Sequence, residues 1–337
     1  MARTTTGRRG RQRRHEAFTG WMFLMPFVLL FSLSFLAPIL VSVRSSLYRM
    51  QPSGGGLYGG GELVETFVGW ANFEQVLALP ALWAGLGRVV LFGAFQIPIM
   101  IGLALTLALL LDSGVVRRPT FFRLGFFLPF AIPGMVAALL WTYIYSPRLS
   151  PINQTLEPLG ASIDFFSPNL ILGSMANTTT WTFAGYNMLI FLAALQAIPR
   201  DLYEAARIDG ASEWKIVTQI KIPMVAPAAM LAVLLSIIGT IQLFNEPTVL
   251  ATVNPWMGKD FTPMMLAYNS ATGQTVPAGA GPASAVSIVM AVFAAVLAAG
   301  YALIQRRVTD DRPDRARACR SHARCRGAEG PGPRRPV

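Results

Sequence analysis

Pro199-Arg-Asp-Leu-Tyr-Glu204-Ala-Ala-Arg-Ile-Asp209-Gly210-Ala-Ser-Glu-Trp-Lys-Ile-Val-Thr-Gln-Ile220-Lys-Ile-Pro223 is a polar island in an apolar chain. No Asp, Glu, Lys, Arg, His or Cys occurs from Phe165 to Pro199 before it or from Ile222 to Asn245 after it. Each flank exceeds the roughly 20 residues that an α-helix needs to cross a bilayer core. The island itself carries the punctuation of two short helices. Pro199 suits a helix start, Asp201 can cap the first amides, and Glu204 three residues later completes a variant of the capping box. Leu202, Ala205, Ala206 and Asp209 fall at helical spacing, so small side chains share a face that another protein can approach closely. Gly210 supplies the left-handed residue that ends the helix. Ser212 then begins a second helix, with Trp214, Ile216 and Ile220 placed to pack beneath the membrane, and Pro223 stops it before the next span.

The same segregation runs along the whole chain. Further stretches free of those residue types extend from Ala17 to Val43, Val89 to Leu111, Leu124 to Pro147 and Phe261 to Gln305. A 337-residue chain with 53% hydrophobic and 13% charged residues and a mean hydropathy of +0.48 falls outside ordinary soluble domains. Six spanning helices are expected: Trp21 to Val43, Leu86 to Leu110, Phe122 to Tyr145, Ile171 to Leu195, Ala226 to Leu250 and Ala283 to Ile304. Helices are required because amides in hydrocarbon must be satisfied within their own segment, whereas barrel strands would be short and alternating. The fold class is therefore all-α, a polytopic membrane protein.

Basic residues set the orientation. All of the 28 lysines and arginines except Arg44, Arg49, Arg88, Arg148 and Lys259 fall in the two termini, the loop after the second span and the polar island. Positive charge favours the cytoplasm, so both termini and the island are expected to face inward. The net charge of +11 is thus explained by topology, and nucleic acid is not an expected partner. Residues 1–20 read as a basic cytoplasmic tail, 21–305 as the transmembrane domain and 306–337 as a disordered tail rich in Arg, Pro and Gly. The first apolar run is too long for a signal-peptide core and is read as a retained helix. Cys319 and Cys325, flanking His322, read as incidental thiols, and no metal site is expected. Gln51 to Gly61 is a glycine-rich external loop. A short amphipathic helix from Phe67 to Leu77 follows it at the outer surface.

The spacing from Glu204 to Pro223 resembles the EAA loop of ATP-binding-cassette importer permeases, in which Glu-Ala-Ala, Asp-Gly-Ala and Ile-x-Leu-Pro recur. Ile222 stands where the family usually has Leu. The resemblance extends to Phe67-Val-Gly-Trp-Ala-Asn-Phe73, Phe126-Phe-Leu-Pro-Phe-Ala-Ile-Pro133, Trp141 and Ser150-Pro-Ile-Asn-Gln154, and is strongest to carbohydrate-uptake permeases like the larger maltose-transporter subunit. It implies that residues 199–223 form a cytoplasmic coupling loop, with Glu204, Ala205, Ala206, Asp209 and Gly210 docking on an ATPase. It further implies a second related permease subunit, two ATPase subunits or domains, an extracytoplasmic solute-binding protein, and a bacterial or archaeal cell membrane with its lipid. The chain contains no Gly-x-x-x-x-Gly-Lys-Ser/Thr loop, so no cofactor is expected in it, and ATP and magnesium belong to the ATPase. No catalytic residues are expected.

Polar groups inside spans are costly and mark paths or helix contacts. The fourth span carries Asn177-Thr-Thr-Thr-Trp181 and Gly185-Tyr186-Asn187, and the fifth carries Thr240, Gln242, Asn245 and Glu246. An aromatic ring beside amides, hydroxyls and a carboxylate suits a sugar. Trp181, Tyr186, Asn187, Gln242, Asn245 and Glu246 are the candidate substrate path, with interhelical packing as the competing explanation. Tyr186 and Asn245 are similar in placement to sugar-contacting residues of the family, while Thr179 and Thr180 stand where it has paired asparagines. The expected cargo is a sugar or oligosaccharide. Glycerol-3-phosphate or a polyol is the alternative within the class, and a proton-coupled secondary transporter using Glu246 is the alternative outside it.

Overall fold

The computed structural model describes residues 6–52, 62–147 and 149–326, which are mostly helical. Two compact units divide the chain: Met1–Leu82 with Leu266–Val289, and Trp83–Met265 with Met290–Val337.

In the first unit, α1 (Thr6–Phe31) passes through a π-helical turn, Ser32–Leu36, into α2 (Ala37–Ser46). An antiparallel hairpin follows, β1 (Tyr48–Pro52) with β2 (Leu63–Phe67), Tyr48 opposite Phe67 and Pro52 opposite Leu63. These strands are the one departure from an all-α fold among the described residues, and β1 takes Gln51 and Pro52 from the stretch read as a loop. Val64, Thr66 and Phe67 favour extended backbone, and the Tyr48 and Phe67 rings meet edge-on at 5.4 Å. The tip, 53–61, lies outside the described residues. Phe67 therefore closes a strand rather than opening the surface helix, and α3 (Ala71–Leu77) begins later, after Gly69 at a φ of 56°.

Asn72 is fully buried and ties this unit together. Its Nδ2 donates to the Ser46 and Tyr48 carbonyls at 2.7 and 2.9 Å, and its Oδ1 accepts from Arg49 Nε at 2.9 Å. Gly281 packs here because a Cβ would collide with the Tyr48 carbonyl.

The remaining helices are α4 (Pro80–Asp112), α5 (Pro119–Phe127), α6 (Gly134–Tyr145), α7 (Pro151–Leu156), α8 (Ile171–Gln196), α9 (Arg200–Ile208), α10 (Glu213–Ile216), α11 (Ile222–Ile241), α12 (Asn245–Val253), α13 (Pro263–Ala271) and α14 (Ala280–Arg326). In the second unit α8 is the hub and packs against α5, α6, α11 and α12. Lipid tails are as apolar as leucine, so close packing rather than water exclusion holds membrane helices together. Ala104 and Ala108, four apart on α4, accordingly share one fully packed cluster with Met188, Phe191, Leu192 and Leu195 of α8.

Among the described residues, four helical stretches are long and apolar enough to cross a bilayer: Thr19–Ser46, Pro80–Asp112, Glu213–Val253 and Ala280–Leu303. Two bent pairs, Pro119–Ala131 with Gly134–Tyr145 and Ile171–Gln196 with Arg200–Ile208, would raise the number to six. The expected third span is thus not one rod but bends by 98°. Pro129 and Pro133 lack ladder amides, and Ile132, preceding a proline, is extended at φ −82°, ψ 129°. The expected fifth span, Ala226 to Leu250, also breaks, at Gln242 to Phe244. Pro247 has no amide to offer the Leu243 carbonyl, which accepts the Thr262 hydroxyl at 3.1 Å instead. At the far end α14 continues through Arg326, where a disordered tail from 306 was expected. The segment is rich in arginine, a strong helix former. Residues 327–337 lie outside the described residues.

Ser150-Pro-Ile-Asn-Gln154 also has a local reason. Ser150 Oγ caps α7 by accepting from Asn153 N, and the Asn153 amide clamps both backbone groups of Ile163 at 2.9 Å.

Candidate functional site

The polar island folds as two short helices at an angle. Pro199 is the N-cap of α9 and no side chain caps it, so Asp201 is corrected from cap to second helical residue. Helical backbone begins at Arg200, one residue too early for Asp201 to reach the free amides from outside. Its carboxylate still favours the positive end of the helix. The other terminus forms as expected. Gly210 adopts φ 77°, Gly210 N bonds the Arg207 carbonyl and Ala211 N bonds the Ala206 carbonyl, which is the Schellman arrangement. Ser212 Oγ caps α10 by accepting from Lys215 N. Arg207 Nε donates to Glu213 Oε1 at 2.9 Å and ties α9 to α10.

Glu204, Ala205, Asp209 and Gly210 are exposed and Ala206 is half-buried, so one small-residue face is open. Ile216 is buried and Ile220 half-buried, but Trp214 is 76% exposed rather than packed. Helix periodicity turns Trp214 away from the face that buries Ile216. Pro223 does not end the second helix. A π-helical turn, Val217–Lys221, absorbs its missing amide and carries the chain directly into α11.

A cavity of about 380 Å³ opens among α4, α8, α11, α12 and the turn after α5. Tyr186, Asn187, Gln242, Asn245 and Glu246 all line it. The Phe130 and Tyr186 rings stack at 4.7 Å and 17° to form an aromatic wall. Thr179 Oγ1 donates to Glu246 Oε1 at 3.3 Å. Asn245 sits over Gly134, where a Cβ would press 2.6 Å from its amide nitrogen. Asn187 is buried; its Nδ2 donates to the Phe183 carbonyl of its own helix at 3.0 Å and lies 3.7 Å from Met100 Sδ on α4, so it serves helix packing as well as lining. Among the described lining residues there is no Lys, Arg or His.

Trp181 stands apart from the other candidates. It is not in the lining and meets Trp141 edge-on at 5.7 Å. Trp181 is five residues before Tyr186, a rotation of about 140° around α8, and so points to a different side of that helix. Gly185, read as an interruption beside Tyr186, has a packing role: a Cβ there would occupy the Phe126 carbonyl, so α5 and α8 meet backbone to backbone. Phe130, Gln96 and Met100 also line the cavity and were not among the candidates. Phe130 lies within Phe126 to Pro133, and Gln96 is a polar residue in a charge-free span, which is the signal that would have found it.

Spanning helices around an apolar cavity with a few convergent polar side chains, and a polar helix pair between two of them, define a polytopic membrane permease. Residues 100–310 match the family described as binding-protein-dependent transport system inner membrane component, and the chain belongs to that family. It is a transport subunit and not an enzyme. It is 36% identical to the lactose transport system permease protein LacF of Rhizobium radiobacter over 72% of this chain and 78% of that one. It is 32% identical to the arabinooligosaccharides transport system permease protein AraP of Bacillus subtilis, over 68% and 71% of the two chains. The sn-glycerol-3-phosphate transport system permease protein UgpA of Brucella abortus is 29% identical over 86% and 95%. A chain of a bacterial ABC transporter involved in the import of the acidic polysaccharide alginate shares the fold, with a TM-score of 0.70, 18% identity and 89% and 99% coverage. Family membership leaves no support for a secondary transporter with Glu246 as proton carrier.

Proposed function

We propose that this chain is one of two different membrane subunits of an ATP-driven importer and carries an uncharged sugar or oligosaccharide. The carrying observation is the composition of the cavity: a stacked Phe130–Tyr186 wall, the amides of Gln242 and Asn245, the Glu246 carboxylate, and no basic side chain among the described lining residues. Rings stack on the apolar faces of a sugar, and amides and carboxylates meet its hydroxyls. Lactose and arabinooligosaccharide permeases among the relatives support the same cargo class. The glycerol-3-phosphate relatives favour a second reading, but a phosphate would call for cations that this lining lacks.

In this reading Glu204, Ala205, Ala206, Asp209 and Gly210 dock on an ATPase, which holds the ATP and magnesium. An extracytoplasmic binding protein delivers the substrate, and both termini lie in the cytoplasm. Phe23, Leu33 and Phe35 of the first spanning helix are exposed, as residues facing lipid or a second permease would be.

The test is uptake by proteoliposomes holding the full complex with Tyr186→Ala or Asn245→Ala. Losing a buried hydrogen bond or ring contact costs on the order of 1–3 kcal/mol, so affinity should fall several-fold to about a hundredfold. Unchanged affinity and sugar preference in both variants would make these residues packing elements.

A further inference from the structure

We propose that Asp112, Lys221 and Tyr203 form the junction through which α9 moves the helices that wall the cavity. Lys221 Nζ donates to Asp112 Oδ2 at 2.6 Å, and the two side chains are only 11% and 17% exposed. The same ammonium lies 5.2 Å from the centroid of the Tyr203 ring. Three elements therefore meet at one charge. Asp112 is the last residue of α4, Lys221 closes the π turn that feeds α11, and Tyr203 sits on α9 directly before Glu204.

Stability alone is a poor reason for this arrangement. A largely buried ion pair roughly offsets its own desolvation, and a carboxylate at a helix C-terminus is disfavoured by the helix dipole. Such a pair is better explained by fixing the register of elements that must move together. Here the elements are the right ones: α4 contributes Phe92, Gln96 and Met100 to the cavity, and α11 contributes Ala232, Ser236 and Thr240. Tyr203 and Leu111 both belong to the apolar cluster around Phe191, so the cation is held from one side by packing and from the other by Asp112. The π turn beside Lys221 is the deformable point, since helices yield at such irregularities. A displacement of α9 carried by the Tyr203 ring would shift Lys221 and, through the ion pair, the ends of both cavity helices.

This rests on the docking role proposed for α9, and the experiment separates the two. The complete complex is reconstituted and the ratio of substrate imported to ATP hydrolysed is measured for Tyr203→Leu, Lys221→Met, the exchanged pair Asp112→Lys with Lys221→Asp, and Gly210→Val. Tyr203→Leu keeps apolar bulk and the ion pair, so the complex should assemble normally while the ratio falls at least several-fold. Lys221→Met should lower it similarly, and the exchanged pair should recover part of it. A wild-type ratio in Tyr203→Leu overturns the junction, even if Lys221→Met fails to assemble. A normal ratio in Gly210→Val with a reduced one in Tyr203→Leu would remove the docking face and leave the junction standing.

Discussion

At the scale of single residues, two glycines do opposite jobs. Gly210 has open space around its α-carbon but a φ of 77°, so what excludes a side chain is conformation. Gly210→Val should cost on the order of 1–3 kcal/mol in local strain, deform the α9–α10 turn and uncouple hydrolysis from transport while membrane insertion survives. Normal import by this variant, measured beside its ATPase rate, would count against the docking face. Gly185 has ordinary helical backbone, and what excludes a side chain there is the Phe126 carbonyl. Gly185→Ala should destabilise the protein by about 1–3 kcal/mol through overpacking, lowering the thermal midpoint in detergent. Tyr186→Ala next to it should change sugar affinity with a smaller loss of midpoint. Equal melting of wild type and Gly185→Ala would contradict the close α5–α8 contact.

At the scale of elements, legibility follows the range of the interactions. The end of α9 and the start of α10 can be read from sequence because Gly210 and Ser212 act within one turn of their own positions. Asp201 misleads because a cap and a first-turn residue differ by a single step of register. The bend before α6 is written in Pro129 and Pro133, yet the unbroken run of apolar residues across them reads as one span. The contact of Gly185 with Phe126 and the cavity shared by Gln96, Tyr186 and Asn245 join residues far apart in the chain, so no local pattern announces them. Asn72 is a further case, an asparagine whose partners lie on α2 and the hairpin. Asn72→Ala should leave Arg49 Nε and two carbonyls without their partner, while Arg49 keeps Gln75, at an expected cost of about 1–3 kcal/mol. Faster hydrogen exchange across β1 and α3 would register it; unchanged protection there would deny Asn72 that role.

At the scale of the whole molecule, the spans, the cavity and the polar helix pair make sense together only as parts of a pump whose power source lies outside the chain. The orientation proposed from basic asymmetry, with both termini inside, predicts that a cysteine at Ser53 reacts with an impermeant reagent on intact cells; labelling only after permeabilisation would reverse the topology. The central claim is that import through this cavity is driven by ATP hydrolysed by a docked partner. The most direct measurement is uptake of a neutral oligosaccharide by proteoliposomes containing this chain, its second permease and its ATPase, with the binding protein outside. Uptake should require ATP inside and survive collapse of the proton gradient, and Glu204→Lys should abolish it. Uptake that persists without ATP and follows an imposed proton gradient would contradict the account.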